Sequence, residues 1–507
     1  MKRKEFLRQL GLLTGGVAVG LDGVPMRAYA YNPVMMDLAG TNGKIVVLVQ
    51  LSGGNDGLNT VIPYEDSIYY TKRPNIGIQK ANAIPLTNTL GLNPAMGALK
   101  NLYEEDKVSI IQAVGYDNHN RSHFRSTDIW MSASDANQVV AEGWMGRYLA
   151  KTFPDYPAKL PDQPMAVHLG SVESMLLLSQ AGSMGTVFDD PNTFYQLVNG
   201  STADNDPPPA TIAGDELKFL KAIAAQSIQY SGVIKDKADK GKNAITYPNT
   251  NFARQLSIVA KLISGGIQTP VYLTTLGGFD THASQLTQHA NLLKTLSDAV
   301  ASFQLDLDTQ GLSKDVVVMT FSEFGRRLNQ NGTTGTDHGA AAVHFVIGKS
   351  VKGGIIGGEY DLVNLDSSGD IKNKYDYRQI YTAVLRDHLG MSQADAQNLL
   401  FKDFQKLPIF RVSAQANDQV PSFELFQPMP NPVSTETRIK YRLNKSQEIR
   451  LSVMDLLGHE VGVLRQGVIE EGTYFETLNA RSFSNGMYLL SLEGDGSRQT
   501  LRMMIER

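Results

Sequence analysis

Apolar and polar residues between positions 40 and 412 alternate in two patterns. Short apolar runs rich in β-branched residues predict strands that are buried on both faces. Longer segments with apolar residues three or four positions apart predict helices that pack on the sheet. The predicted strands are residues 45–51, 108–114, 165–169, 271–276, 316–321 and 343–347. The predicted helices lie within 215–234, 252–263 and 288–307. This alternation predicts an α/β fold with a mostly parallel sheet and helices on both faces.

The pattern changes near residue 412. Residues 413–422 have the composition of a linker, and residues 423–507 contain short segments of alternating apolar and polar residues between glycine- and asparagine-bearing turns. The strands predicted there are residues 437–443, 448–455, 473–479, 487–494 and 499–506. We therefore predict an α/β domain at 40–412, with an exposed loop at 199–213, followed by a small C-terminal β-sandwich.

The first thirty residues have the features of an export signal. A basic start precedes an apolar stretch at 10–21 and a small-x-small site at 28–30. The start resembles a twin-arginine signal in which Lys4 takes the place of the second arginine. A buried amphipathic helix is the alternative. The apolar runs later in the chain are too short to span a bilayer, so we expect an exported protein without a membrane span.

Charge and cysteine content narrow the function classes. The formal net charge is -4 over 507 residues and the basic residues are dispersed, which excludes nucleic-acid binding as a hypothesis. The chain has no cysteine. Disulfides, thiolate metal sites and cysteine nucleophiles are therefore excluded.

Polar residues follow four of the predicted strands. The carboxyl ends of parallel strands meet at one edge of a sheet, where loops form a crevice. Several residues after these strands have side chains that can ligate a metal, transfer a proton or act as a nucleophile. They are Asp56, Asp117, His119, Ser122, His123, Asp280, His282, Glu323, Asp337 and His338. The sequence predicts that the side chains used for binding or catalysis come from this set.

Carboxylate and imidazole groups in this set indicate a divalent metal ion. Asp280, His282 and His338 form a donor set suited to zinc or manganese, with calcium or magnesium as alternatives. Asp56 and Glu323 would repel each other in a crevice unless a cation lay between them. The alternative interpretation is that each aspartate caps a turn and each histidine is structural. Five further histidines are interpreted as structural: His168, His289, His344, His388 and His459.

Five motifs in order resemble a known family. They are "LVQLSGGNDGLNTVIPY", "RSHFRSTDIWMS", "GGFDTH", "TFSEFGRR" and "GTDHGAAAVHFVIG". Together they resemble the exported bacterial proteins of domain of unknown function 1501, which is related to the alkaline phosphatase and sulfatase superfamily. The resemblance spans most of residues 44–400 and implies an alkaline phosphatase-like sheet.

The resemblance also implies metal-binding roles. Asp56 matches the aspartate that shares a metal with the nucleophile, whereas Asp280 and His282 match the pair at the other metal site, which His338 would complete. The motif at 322–325, "SEFG", departs from the Asp-His-Gly common in active phosphatases, because Phe324 cannot ligate. Glu323 can still ligate a second metal, and Asp337 is the further candidate.

A hydroxyl at the start of the helix after the second strand is the expected nucleophile. Ser122 is favoured over Ser126 and Thr127, with His123 beside it and Arg121 available to hold an anion. The alternative role for Ser122 is to cap that helix. A standard sulfatase mechanism is not expected, because the chain has neither a cysteine nor a Ser-x-Pro-x-Arg motif that could yield formylglycine.

Residues 423–507 resemble the C-terminal sorting domain of the type IX secretion system, through "PNPVSTETRIKYRL", "LSVMDLLGHEVGVL" and the basic end "RMMIER". This resemblance implies the type IX machinery as a partner and a secreted or surface-attached protein. A sandwich that binds carbohydrate or protein is the alternative. The whole sequence therefore predicts an exported metal-dependent hydrolase for phosphate or related esters. The competing hypothesis is a non-catalytic surface protein that binds a glycan or another protein.

Overall fold

The computed structural model describes residues 20–21, 24–25, 43–157, 159–201, 206, 212–411, 422–455, 459–494 and 497–506. The chain divides into two compact units. The first comprises residues 1–84 and 92–411, and the second comprises residues 85–91 and 412–507. Most of the predicted signal peptide, of the linker and of the predicted loop at 199–213 lies outside the described residues.

The first unit is built on a nine-stranded sheet. Its strands, with those of a nearby hairpin (β7 and β8), are β1 Ile45–Ser52, β2 Val108–Gly115, β3 Ala166–Leu169, β4 Gly185–Phe188, β5 Val271–Gly277, β6 Val316–Phe321, β7 Arg326–Gln330, β8 Thr336–His338, β9 Ala342–Ile347, β10 Gly354–Ile356 and β11 Tyr375–Asp376. The strand order is β4-β3-β5-β1-β6-β9-β2-β10, and β11 also pairs with β2. Every pairing in this sheet is parallel except those of β9, which runs antiparallel to both β6 and β2.

The predicted α/β class is therefore confirmed. Strands β2, β6 and β9 are buried along their whole length, which means that both faces of the sheet are covered there. Each of the six predicted strands is present, with ends that differ from the prediction by one residue at most. The sequence of β9 does not reveal its antiparallel direction, because a strand buried on both faces needs continuous apolar residues whichever way it runs.

The described part of the first unit contains eleven helices, three of which cover the predicted segments at 215–234, 252–263 and 288–307. They are α1 Gly57–Thr60, α2 Ser67–Lys72, α3 Gly97–Glu104, α4 His123–Ser132, α5 Trp144–Thr152, α6 Pro191–Val198, α7 Ile212–Lys240, α8 Asn251–Ser264, α9 Gln285–Thr309, α10 Tyr377–Ala383 and α11 Gln393–Leu400. Helix α8 shows why the pattern predicts so well. The Thr250 hydroxyl accepts a hydrogen bond from the Ala253 amide at its start, and one apolar face is buried.

Shorter elements complete the described chain. They are the strands Gly20–Leu21, Val24–Pro25, Val61–Ile62, Ile84–Pro85, Gly91–Leu92, Leu178–Ser179 and Gly182–Ser183, the 3₁₀ turns Lys80–Asn82, Pro94–Met96, Met175–Leu177, Ser313–Asp315 and Ala480–Ser482, and the π-helical turn Val384–His388. Among the described residues, the helices are all too short or too polar to cross a membrane.

The second unit is an antiparallel sandwich. Its strands are β12 Phe423–Leu425, β13 Glu436–Leu443, β14 Gln447–Met454, β15 Glu460–Ile469, β16 Gly472–Asn479, β17 Gly486–Gly494 and β18 Ser497–Ile505. They form a three-stranded sheet, β12-β13-β16, and a four-stranded sheet, β15-β14-β17-β18, around one apolar core. The sequence pattern missed β12, which has only three residues, and β15, an edge strand that is largely exposed.

Candidate metal centre

The polar motifs meet at the carboxyl edge of the sheet. Strands β5, β1 and β6 are neighbours, so the loops that follow them lie side by side. Gly53, directly after β1, has a φ of +122°, and a Cβ atom there would lie 2.3 Å from the Asp280 amide nitrogen. A glycine is therefore required where the first loop touches the loop that carries Asp280 and His282. Strand β2, which is parallel to these strands, brings helix α4 and His123 to the same edge.

Three imidazole rings converge on one carboxylate oxygen. Oδ1 of Asp280 lies 3.0 Å from Nε2 of His282, 3.1 Å from Nε2 of His338 and 3.5 Å from Nε2 of His123. The Nε2 atoms of His282 and His338 are 2.9 Å apart. We call these four residues the His3Asp cluster. The structure thus joins three predicted ligands with His123, which the sequence placed in the catalytic group.

Each ring of the cluster faces an acceptor with its other nitrogen. Nδ1 of His123 lies 2.8 Å from Oε1 of Glu323, and Nδ1 of His338 lies 2.8 Å from the carbonyl oxygen of Arg121. Nδ1 of His282 lies 3.3 Å from Oδ1 of Asp337. Nε2 of each ring faces the Asp280 carboxylate, so both nitrogens of each ring face an acceptor and the contacts are compatible with a proton on either one. A proton on Nδ1 would leave the three Nε2 atoms free to ligate a metal ion, which is the arrangement that metal-binding histidines use.

These distances fit a small divalent ion. Tetrahedral ligands at about 2.0 Å from zinc are about 3.3 Å from one another. The distances from Oδ1 of Asp280 to the three Nε2 atoms and the distance between the His282 and His338 nitrogens lie between 2.9 and 3.5 Å, and His123, Asp280 and His338 each offer a ligand atom within 4.8 Å of the others. Lone pairs on two Nε2 atoms 2.9 Å apart repel each other unless a proton or a metal ion lies between them. The side chains of His282 and Asp280 are 42% and 48% exposed, so solvent or a substrate can reach the cluster.

Arg326 holds the Asp280 carboxylate from inside the protein. This buried guanidinium donates from Nη2 to Oδ1 of Asp280 at 2.7 Å and from Nη1 to the Thr336 carbonyl at 2.7 Å. Partial burial favours the neutral acid, but hydrogen bonds from Arg326 and His338 outweigh it and lower the pKa of Asp280 to about 2. Asp280 is therefore an anion at neutral pH. Burial lowers the pKa of His338, which favours the neutral ring that can ligate a metal.

The Asp56 carboxylate is bound by protein groups outside the cluster. Its buried carboxylate forms two hydrogen bonds with Arg73, at 2.6 and 3.0 Å, and accepts another from Gln285. Burial raises the pKa of Asp56, but the charge of Arg73 outweighs this effect and the net pKa lies below its usual value. The oxygen of the Gln285 amide accepts from Thr281 and Thr336, which lie next to cluster residues in the sequence. In this geometry Asp56 supports those loops from the protein interior. It is not one of the residues whose atoms converge in the His3Asp cluster.

Glu323 contacts the cluster through Nδ1 of His123 and not through the converging Nε2 atoms. Its carboxylate is buried and accepts hydrogen bonds from the Gly53 amide at 2.8 Å and from His123. Phe324, the residue that departs from the phosphatase pattern, packs its ring 4.4 Å from the His338 ring and 4.9 Å from the His123 ring. Phe324 therefore places an apolar ring where the phosphatase pattern has a histidine, and its packing fixes the positions of the His123 and His338 rings.

Asp337 orients His282 from the solvent side. Its Oδ1 also accepts from the Asn331 side chain at 3.1 Å. That hydrogen bond, together with the charges of His282 and Arg327, lowers the pKa of Asp337. The loop between β7 and β8 holds the His282 segment closely, since a Cβ at Gly335 would lie 2.2 Å from the His282 carbonyl carbon.

The hydroxyl candidates have different surroundings. Ser126 is buried and its hydroxyl contacts the Tyr116 hydroxyl at 2.7 Å and the Glu323 carbonyl, so it serves as a structural link. Ser122 occupies the N-cap position of α4, is exposed, and makes no capping hydrogen bond with its side chain. Thr127 lies further along α4 and is half-buried. Ser122 is the candidate that combines exposure with a position next to a cluster residue.

A second group of charged residues adjoins the cluster. Asp370 is buried and binds Arg121, Arg327 and His119, and His119 also lies 3.8 Å from Asp366. The sequence analysis missed the contribution of residues 366 and 370, because they lie in a long loop rather than at the end of a strand. Arg73 and Gln285 were missed for a similar reason: neither stands in a polar motif.

The fold and the cluster define an α/β protein with a candidate metal site at the carboxyl edge of its sheet. Residues 221–400 match the family described as "Protein of unknown function (DUF1501)". Residues 429–506 match the family described as "Secretion system C-terminal sorting domain". Both matches confirm the resemblances seen in the sequence, and the sorting domain indicates export to the medium or the cell surface.

Solved structures resemble the chain only distantly. A protein in the alkaline phosphatase superfamily from Vibrio parahaemolyticus is 10% identical, with 94% of this chain and 88% of that chain covered and a TM-score of 0.29. The PsFucS1 sulfatase from Pseudoalteromonas sp. is 10% identical, with 87% and 85% covered and a TM-score of 0.31. Dimeric latent PorU from Porphyromonas gingivalis is 14% identical over 18% of this chain and 10% of its own, with a TM-score of 0.14. No curated protein matches the sequence.

Proposed function

We propose that the protein is an exported metal-dependent hydrolase for phosphate or related esters, with one metal ion bound by His123, Asp280, His282 and His338. The observation that carries the proposal is the convergence of three Nε2 atoms on Oδ1 of Asp280, each ring being oriented by a partner at Nδ1. Imidazole and carboxylate donors in this ratio favour zinc or manganese over calcium or magnesium. A bound ion of this kind supplies Lewis acidity and lowers the pKa of a coordinated water or hydroxyl.

The residues of the chain supply the rest of the chemistry. Ser122 offers an exposed hydroxyl one residue before His123, at a helix start where amide groups favour an anion. Glu323, Asp337 and the Arg121 carbonyl orient the rings through Nδ1. The class of ester follows from the motif resemblance to phosphatases together with this site.

The pairing of Asp56 with Arg73 favours a second candidate, a non-catalytic surface protein that binds a glycan or another protein through the same crevice. Asp56 is the aspartate expected to share a metal with the nucleophile, and here its carboxylate is satisfied by protein groups. The sorting domain supports surface display for either function.

Metal content and hydrolysis separate the two functions. The purified protein is incubated with zinc or manganese, dialysed, and measured by elemental analysis, and it is assayed with p-nitrophenyl phosphate, bis(p-nitrophenyl) phosphate and p-nitrophenyl sulfate. We expect one tightly bound ion per chain and hydrolysis of at least one ester, both lost in Asp280→Ala and His282→Ala. His459→Ala is the control, since His459 lies exposed in the sorting domain. Metal binding without hydrolysis would favour the binding protein, and unchanged metal content in both variants would refute the metal site.

A further inference from the structure

Two arginines beside the His3Asp cluster are held by one buried carboxylate. Oδ2 of Asp370 accepts from Nε of Arg121 at 3.0 Å and from its Nη2, while Oδ1 accepts from Nε of Arg327 at 3.0 Å. The Asp370 side chain is 0% exposed. A carboxylate in this position fixes two long side chains that would otherwise be free to rotate.

The loop around Asp370 strengthens this arrangement. The Asp370 amide donates to Oδ1 of Asp366, and the carbonyl of Ser368 accepts from Nη2 of Arg327 at 2.6 Å. His119 adds a third contact, with Nε2 lying 3.1 Å from Oδ2 of Asp370. The guanidinium groups are thus anchored on one side by a loop that is itself internally hydrogen-bonded.

The other side of each guanidinium is free. The Arg121 and Arg327 side chains are each 36% exposed. Within the described part of the chain, Nη1 of either arginine has no hydrogen-bond partner. Each group therefore retains N–H donors directed away from Asp370, in the planar geometry that matches the oxygens of a phosphate or sulfate.

Both arginines are tied to the cluster through their neighbours. The Arg121 carbonyl oxygen contacts Nδ1 of His338, and His123 follows two residues later. Arg327 follows Arg326, which binds Asp280, and its charge acts on Asp337, the partner of His282. Both anchored guanidiniums are therefore linked, through one or two residues, to members of the cluster.

We propose that Arg121 and Arg327, anchored by Asp370, form a subsite for the oxyanion of a negatively charged ester, a phosphate or a sulfate group. The subsite deepens the proposed function, on which it rests for its place beside the metal ion. In it Asp370 is a positioning residue, and Arg327 is a substrate-contacting residue that the sequence motifs did not identify.

Binding of inorganic phosphate to the zinc-loaded protein tests the subsite directly, without any knowledge of the natural substrate. Isothermal titration calorimetry is carried out on the unmodified protein, on Arg327→Gln and Arg121→Gln, and on the control Arg254→Gln. Arg254 is also a partly exposed arginine paired with an aspartate, Asp189, but it lies on α8. Zinc content and thermal unfolding are recorded for every sample. Inorganic sulfate is titrated in parallel.

We expect the dissociation constant for phosphate to rise about tenfold or more in Arg327→Gln and in Arg121→Gln, because a charged donor is lost in each. Zinc content should stay unchanged, and Arg254→Gln should bind as the unmodified protein does. Each of the other two variants should unfold at a lower temperature, because the buried Asp370 loses one of its two arginines, but both should be folded at the temperature of the titration. A tighter affinity for phosphate than for sulfate would indicate a phosphate ester as the substrate, and the reverse a sulfate ester.

Equal phosphate affinity in all four proteins, or no binding to a protein that holds zinc, would overturn the subsite and leave the metal proposal standing. A protein that binds no zinc but loses phosphate affinity on Arg327→Gln would support the subsite and refute the metal-dependent function. The two proposals can therefore fail separately.

Discussion

Nε2 of His282 lies 2.9 Å from Nε2 of His338, and both nitrogens also lie within 3.1 Å of Oδ1 of Asp280. The two residues are 56 positions apart in the sequence and reach each other because the loop after β5 packs against the β7–β8 hairpin. A proton or a metal ion between the two rings stabilises this contact.

Replacing His338 by glutamine should weaken zinc binding about a hundredfold or more, since one of the four ligands loses its imidazole lone pair. Competition with a chromogenic chelator measures the affinity. His459→Gln is the control, because its ring is 73% exposed and lies in the other unit. Equal affinity for zinc in His338→Gln and the unmodified protein would contradict the assignment of this ligand.

Asp56→Asn should lower the free energy of unfolding by about 3 kcal/mol or more, because it leaves the buried charge of Arg73 without its partner. Zinc content should remain one ion per chain. Urea unfolding and elemental analysis provide the two readouts. Asp189→Asn, which removes an exposed partner of Arg254, should cost less than about 1 kcal/mol. Loss of zinc with unchanged stability in Asp56→Asn would instead make Asp56 a ligand.

Glu323→Gln should keep one zinc ion per chain but bind it about 10- to 100-fold more weakly, because a neutral amide orients and polarises His123 less well than a carboxylate. Glu105→Gln changes an exposed carboxylate that pairs with Lys107 and serves as the matched control. A complete loss of zinc from Glu323→Gln would indicate direct ligation, and an unchanged affinity would remove Glu323 from the site.

His388 should make the metal-free protein less stable in acid. Burial lowers its pKa to about 4, despite a hydrogen bond between Nε2 and the Ile45 carbonyl. Between pH 6.5 and about 4 the unfolded chain takes up a proton that the folded chain refuses, so stability falls as the pH falls. From pH 7 to pH 5 this one residue should cost about 2 kcal/mol.

The His388→Leu variant removes that proton-linked contribution. Urea unfolding in the presence of a chelator should therefore show about 2 kcal/mol less loss of stability between pH 7 and pH 5 than in the unmodified protein. His459→Leu, which changes an exposed histidine, should leave the pH dependence as it was. Identical pH dependence in His388→Leu would show that folding does not lower the pKa of His388.

Local sequence patterns predicted much of the fold. The apolar runs at β1 and β6 predicted strands within one residue of their ends, since a strand buried on both faces needs continuous apolar residues. Five of the seven sandwich strands followed from their alternation. The exceptions were β12, which is only three residues long, and β15, an edge strand with few buried positions.

The candidate site was predictable in part. Residues that follow β5 and β6, with His338 further along the second of these segments, were expected near one another, because the carboxyl ends of parallel strands share an edge. Asp280, His282 and His338 do meet there. Whether they hold a metal stays a prediction, as does the role of Ser122 as nucleophile.

The sequence by itself determined which segments form strands and helices, which residues carry metal-binding chemistry, and which segment sorts the protein for export. Only the tertiary structure decided which nitrogen of each ring faces the cluster, that Asp56 pairs with Arg73, and that Asp370 joins Arg121 to Arg327. The reason is physical: strand and helix patterns arise from neighbours along the chain. The partner of a buried charge is chosen among groups up to 250 positions away, by packing that no local pattern records.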